Sequence, residues 1–232
     1  MQLIVLPINF ISTAASAALF GLLLLIAFAM TAPMGSQEYY GFYRYDYLLF
    51  YALMIQICLL YLKLESWDEA KVIALFHIMA MGMEIFLTHP AIASWQYPQP
   101  AIFKLLTVPL FAGFMYSAVG SFFARSLRLY QVSFENLPQF GNMLCLAVLS
   151  YLNFMTKFFI PDIRMGLFIW SVVIFWKTKL YFQLAQHRFK VPMLPILLIL
   201  AFLIWIAENI STFYKIWLYP SQVDAWHMVG WG

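Results

Sequence analysis

Seven apolar runs follow one another along the chain, separated by short polar breaks. They cover about residues 4–30, 45–62, 70–88, 104–124, 140–160, 164–186 and 193–214. A helix needs about 20 mainly apolar residues to cross a bilayer, and each run is close to that length. None alternates apolar and polar positions as a membrane barrel strand does. The pattern therefore predicts an all-α, polytopic membrane helical bundle, because helices satisfy their own backbone polar groups in lipid. The first run is long and carries Pro7, so a bend or an interfacial start is expected there. After the seventh run, "YPSQVDAWHMVGWG" reads as the stub of a truncated eighth helix. No stretch is polar enough for a soluble domain, so residues 1–232 are expected to form a single integral membrane domain.

Composition agrees with the pattern. Hydrophobic residues make up 64% of the chain and charged residues only 10%, against about a quarter charged in a soluble domain. The opening "MQLIVLPINF" has no basic residues ahead of its apolar stretch, so it reads as a retained helix. The net charge of +3 is spread out and forms no basic run, which argues against a nucleic-acid partner. Basic residues do set a direction. With alternating spans, Lys63, Lys71, Arg125, Arg128, Lys177, Lys179, Arg188 and Lys190 fall on one side, and Arg44, Lys104, Lys157, Arg164 and Lys215 on the other. That bias puts the N-terminus in the cytoplasm.

The polar positions inside the runs recur. Glu84 and Thr88 stand four apart, and so do Glu208 and Thr212. Trp95-Gln-Tyr97-Pro98 then answers Trp217-Leu-Tyr219-Pro220. Upstream, Arg44 and Asp46 open the second run, and Asp162 and Arg164 open the sixth. Lys63 follows Asp46 at the same interval as Lys179 follows Asp162. The spacing predicts a parallel four-plus-four repeat with halves of about 1–125 and 139–232, and repeats of this kind build sites at their interface.

Glu84 and Glu208 are the sharpest chemical signals. A carboxyl inside a span is costly and faces the bundle interior or water. Two readings stand side by side: a reactive proton donor in a dry site, or a protonated acid tying two helices together. Thr88 and Thr212, one turn on, are placed to hydrogen-bond the carboxyls. His77 lies two turns before Glu84 and could act with it as an acid–base relay, although a histidine bonded to a neighbouring helix is the plainer reading. Trp95, Tyr97, Trp217 and Tyr219 could shape an aromatic mouth or be routine interfacial residues. Arg44, Asp46, Asp162 and Arg164 could form an ion-pair cluster across the repeat or anchor span ends. The four histidines lack metal-ligand spacing, and no metal site is expected. No cofactor motif is present, and the sequence names no cofactor.

The stretches "YRYDYLLF", "ALFHIMAMGMEIF", "SWQYPQ", "VPLFAGFMYSAVGSF", "YLNFMTKFFIPDIR" and "WIAENISTFYKIWLYPSQ" resemble a bacterial family of membrane proteins, "domain of unknown function 817". The likeness runs from about Tyr39 to the end. It implies a multi-pass protein of the bacterial inner membrane. The family carries paired histidines after its N-F-x-T run, whereas Lys157 and Phe158 follow Thr156 here, which weakens a histidine metal site. The family also continues through a further helix, so the chain reads as cut short at Gly232. A looser likeness is to membrane carotenoid hydratases and lycopene cyclases, which pair an intramembrane Glu with a Tyr-rich turn and a following "VP" helix, as Glu84, Tyr97, Val108 and Pro109 do.

Two classes of function follow. One is an enzyme or binding protein for a lipophilic, isoprenoid-like molecule, with Glu84, Glu208 and His77 as the reactive groups. The other is a small proton- or cation-coupled transporter. A structural subunit of a membrane complex is a third option. The expected partners are membrane lipid, a lipophilic small molecule, and a second copy or larger membrane assembly.

Overall fold

The computed structural model describes residues 2–230. The described residues are mostly helical and hold eight α-helices: α1 (Gln2–Ala17), α2 (Leu19–Thr31), α3 (Arg44–Tyr61), α4 (Trp67–Leu87), α5 (Ala112–Leu129), α6 (Phe140–Thr156), α7 (Arg164–Phe175) and α8 (Met193–Phe213). Two of them, α4 and α8, are long and apolar enough to cross a membrane. The bent pair Pro7–Ala17 and Leu19–Met34 makes a third if taken as one span. The chain forms two compact units, one of Met1–Phe10 with Leu127–Ile204 and one of Ile11–Ser126 with Trp205–Gly232.

The second of these units holds the residues of most interest. Its core is the contact of α2 with α3. Tyr45, Leu48, Leu49, Ala52, Ile55 and Leu59 lie at helical spacing on one face of α3, and Phe20, Leu24, Ala27 and Phe28 of α2 meet them. Phe111 and Ile216 complete the cluster. Helix α4 starts at a capping box, in which the Glu69 N–H donates to Ser66 Oγ and the Ser66 N–H to Glu69 Oε2.

The 70° bend in the first apolar run falls between Ala17 and Leu19, not at Pro7, which sits inside α1. The break lies in the small-residue run Ala14 to Ala18. Arg125 donates to the Ser16 carbonyl at 2.7 Å, satisfying an acceptor in the last turn before the break.

Two expected spans are corrected, one in each unit. The run at 164–186 is helical only to Phe175. The chain then forms a hairpin of β4 (Lys179–Leu184) and β5 (His187–Pro192) around a two-residue turn in which Ala185 has φ of 53°. A third strand, β3 (Ser133–Glu135), pairs antiparallel with β4. Lys177, Lys179, Arg188 and Lys190 make this stretch too charged for a span, and Lys190 pairs with Glu135 across the sheet at 2.8 Å. The run at 104–124 likewise opens as a short hairpin, Lys104–Leu105 with Val108–Pro109, and turns helical only at Ala112. Pro109 lacks the N–H an interior helical turn needs. After Phe213 the one helical element among the described residues is a 3₁₀ turn, Pro220–Gln222, where the sequence predicts the stub of a truncated eighth helix.

Candidate functional site

Glu84 occupies the last turn of α4 and is 1% exposed. Three neutral donors converge on it. Trp95 Nε1 and Tyr97 Oη both donate to Oε2 at 2.8 Å, and Tyr116 Oη donates to Oε1 at 2.7 Å. A buried carboxylate left unpaired costs several kcal/mol, about as much as a small domain can spare. The three donors satisfy both carboxyl oxygens, which offsets that cost. Trp95 and Tyr97 reach Glu84 because the chain turns back after Thr88. Tyr116 reaches it because a helical side chain leans toward its own N-terminus.

The Trp-x-Tyr segment that caps Glu84 is joined to its twin. Gln96 and Leu218 form an isolated antiparallel bridge, exchanging both backbone hydrogen bonds at 2.9 Å. The Trp95 and Tyr219 rings meet in a T-shaped contact, 6.3 Å between centroids. Tyr219 Oη in turn donates to Glu208 Oε1. Burial raises the Tyr219 phenol above its ordinary range, as do Glu208, its hydrogen bond and, more weakly, Glu84. Tyr97 is raised well above that range by burial first and then by the charge of Glu84. Both phenols therefore remain donors at any physiological pH. The result is one connected aromatic and acidic centre within the unit.

The two acids differ in surroundings. Glu84 is sealed and has three donors. Glu208 is half-buried, and among the described residues Tyr219 is its one hydrogen-bond partner. It lies near the end of α8.

Several expected contacts are replaced by others. Thr88 Oγ1 donates to the Glu84 backbone carbonyl and meets Thr107 Oγ1, each at 2.7 Å, and does not touch the carboxyl. Thr212 Oγ1 donates to the Asn209 carbonyl and accepts from Trp226 Nε1, both at 3.2 Å. Both threonines close the end of a helix, where free carbonyls compete for their hydroxyls. His77 does not hydrogen-bond Glu84. Its ring packs on Gly113, where a Cβ would approach within 2.5 Å, and edge-on to Phe114. Its Nδ1 is buried without a hydrogen-bond partner among the described residues. Trp217 packs against the α2–α3 core.

The four charged residues at span ends form two separate sets. Arg44, 1% exposed, donates to the Phe28 and Tyr214 carbonyls at 2.7 and 2.8 Å and to Thr31 Oγ1 at 3.0 Å. Asp46 accepts the N–H groups of Tyr43, Ile102 and Phe103. These two tie loops to helix ends. In the other unit Asp162 pairs with Arg164 at 2.6 Å and accepts from Asn153 at 2.9 Å. The partners named for Arg44 and Asp46 all lie within one unit, and those named for Asp162 and Arg164 within the other.

Two features escaped the sequence reading. Tyr116 is the third donor to Glu84. A phenol in the second turn of an apolar helix needs a polar partner, and that was its signal. Glu65, 3% exposed, accepts from Gln56 Nε2 at 2.6 Å and from Ser121 Oγ. It reads in sequence as an ordinary loop charge before α4. Among the described residues no group of three His, Cys, Asp or Glu side chains is placed to hold a metal ion.

Fold and site define a helical protein with apolar helices of membrane-crossing length and an aromatic-capped pair of carboxyls. The family described as "Protein of unknown function (DUF817)" matches residues 7–232, and the chain belongs to it. It is 38% identical to the uncharacterised protein YoaT of Bacillus subtilis (strain 168) over 186 residues, which is 80% of this chain and 70% of that protein. No solved structure matches the chain. The looser likeness to carotenoid hydratases and lycopene cyclases finds no support in these comparisons.

Proposed function

We propose that this protein is a multi-pass component of the bacterial inner membrane, with its N-terminus in the cytoplasm, and that the Glu84–Glu208 centre binds a lipophilic molecule of isoprenoid type. The observation that carries the reading is the contrast between the acids. Glu84 is sealed and held by three donors. Glu208 is half-exposed and, among the described residues, has one phenol partner. Glu84 would fix the aromatic frame, and Glu208 would be the group that meets a ligand arriving from the bilayer. The faces of Trp95 and Tyr219 would favour positive charge developing on an alkene, should the centre be catalytic. The paired Trp-x-Tyr segments support the repeat in its simplest form: α4 and α8 are both 21 residues long, both end on Glu-x₃-Thr, and their following loops meet. A second copy or a larger membrane assembly is a natural partner for so much exposed apolar surface.

A lipophilic carbodiimide, which modifies carboxyls reachable from the membrane, tests this. Glu208 should be modified and Glu84 spared. Modification of Glu84 with Glu208 untouched would refute the assignment.

A second reading, a proton-coupled transporter, has one observation in its favour. Buried Glu65, just before α4, accepts from Gln56 of α3 and Ser121 of α5, and His77 lies along α4 between Glu65 and Glu84. Proton flux in liposomes that stops in Glu65→Gln would favour it.

A further inference from the structure

The unit formed by Met1–Phe10 and Leu127–Ile204 contains an open pocket of about 380 Å³ between α6 and α7. That is within the size range of small-molecule sites. Leu146, Phe154, Leu167 and Phe168 give it apolar walls. Lys157 and Arg164 both border it, with the hydroxyls of Ser150 and Ser171.

The charge here is built in and incompletely compensated. Asp162 is saturated from two helices. Asn153 of α6 donates to its Oδ1, and the Arg164 backbone N–H and Nε donate to Oδ1 and Oδ2. The amide oxygen of Asn153 also accepts the Ile163 N–H at 2.9 Å, so the loop between the helices is pinned to α6. Arg164 is held through Nε alone, and its two terminal nitrogens have no partner among the described residues. Lys157 has no carboxylate partner among the described residues. Its Nζ lies over the rings of Phe154 and Phe158, at 4.7 and 5.3 Å from their centroids. Two cations and one acid leave a net positive mouth on an apolar slot. An anion would find unused donors, and an alkyl chain would find the walls.

We propose that this pocket binds an anionic amphiphile, its phosphate or carboxylate head held between Lys157 and Arg164 and its chain laid along Leu146, Phe154 and Phe168. The site is separate from the Glu84–Glu208 centre and does not depend on it.

The test uses the full chain in zwitterionic nanodiscs, titrated calorimetrically with dodecyl phosphate, dodecanol and inorganic phosphate. Dodecyl phosphate should bind saturably at one site, and dodecanol and inorganic phosphate should each bind at least about tenfold more weakly. Lys157→Gln should weaken dodecyl phosphate by about tenfold or more, and Lys157→Arg should retain it. Ser150→Trp keeps both charges at an exposed position and fills the slot, so it should also abolish binding. Equal affinity for dodecanol and dodecyl phosphate would overturn the anionic head. Inorganic phosphate binding as tightly as dodecyl phosphate would assign the cations to a free anion and overturn the amphiphile. Unchanged binding in both Lys157→Gln and Ser150→Trp would overturn the site.

Discussion

Gln96 and Leu218, the middle residues of two Trp-x-Tyr-Pro segments more than a hundred positions apart, donate their N–H groups to each other's carbonyls at 2.9 Å. Each is flanked by the residues that cap a carboxyl: Trp95 and Tyr97 for Glu84, Tyr219 for Glu208. One bridge therefore sets the position of both caps. Gln96 is exposed, so its side chain contributes little. Gln96→Ala should change stability by no more than about 0.5 kcal/mol. Gln96→Pro removes the donor and should cost about 1–3 kcal/mol. Thermal unfolding in one detergent compares the two, and equal midpoints would deny the bridge its role.

The three donors to Glu84 are not equivalent. Oε2 has two and Oε1 has one. Tyr116→Phe empties Oε1 and should cost about 2–3 kcal/mol, whereas Tyr97→Phe leaves Trp95 in place and should cost about 1 kcal/mol less. The reverse order in chemical denaturation would show that Oε1 is satisfied in another way.

Arg44 reaches carbonyls at the end of α2 and after α8 as well as the Thr31 hydroxyl. A planar fork spans these directions, and an ammonium does not. Arg44→Lys should lower stability by about 2–4 kcal/mol although the charge is kept. A loss under about 0.5 kcal/mol would mean that charge alone suffices.

Asp162 is held at about 2, first by the Asn153 amide, then by the Arg164 N–H and guanidinium. Its folded value lies below the unfolded carboxylate value of about 3.9. The stability it adds is thus complete above about 3.9 and fades as pH falls through about 2. The Asn153 side-chain amide resonances should titrate with a midpoint near that lower value, and Asn153→Ala should move the midpoint of Asp162 upward. A midpoint at the unfolded value in the wild type would contradict the geometry.

The sequence was most legible where a periodic apolar run coincided with helix-ending chemistry. α4 and α8 fall within a few residues of the expected runs because Glu-x₃-Thr and the following loop stop them. The hairpin at Lys179–Pro192 was missed because Leu180, Phe182 and Leu184 raise the average hydropathy, while the two-residue alternation that marks a strand is obscured by the aromatic Tyr181 between them. For the site, the acids and the Trp and Tyr residues were legible, but their wiring was not. Thr88 and Thr212 sit at the right spacing for their acids, yet helix-end carbonyls win their hydroxyls. Tyr116 lies 32 positions from Glu84, and only the packing of α5 brings it there. Arg44 and Asp46 looked like span-end charges, and their burial against carbonyls and N–H groups depends on loops that no local pattern encodes.

The central claim is that the Glu84–Glu208 centre holds a lipophilic ligand. Mass spectrometry of the organic extract tests it most directly, with wild-type protein purified in mild detergent beside a folded Glu84→Gln/Glu208→Gln variant. The account predicts an isoprenoid-like molecule in stoichiometric amount with the wild type and its loss from the variant. Bulk phospholipid alone, the same in both extracts, would contradict it.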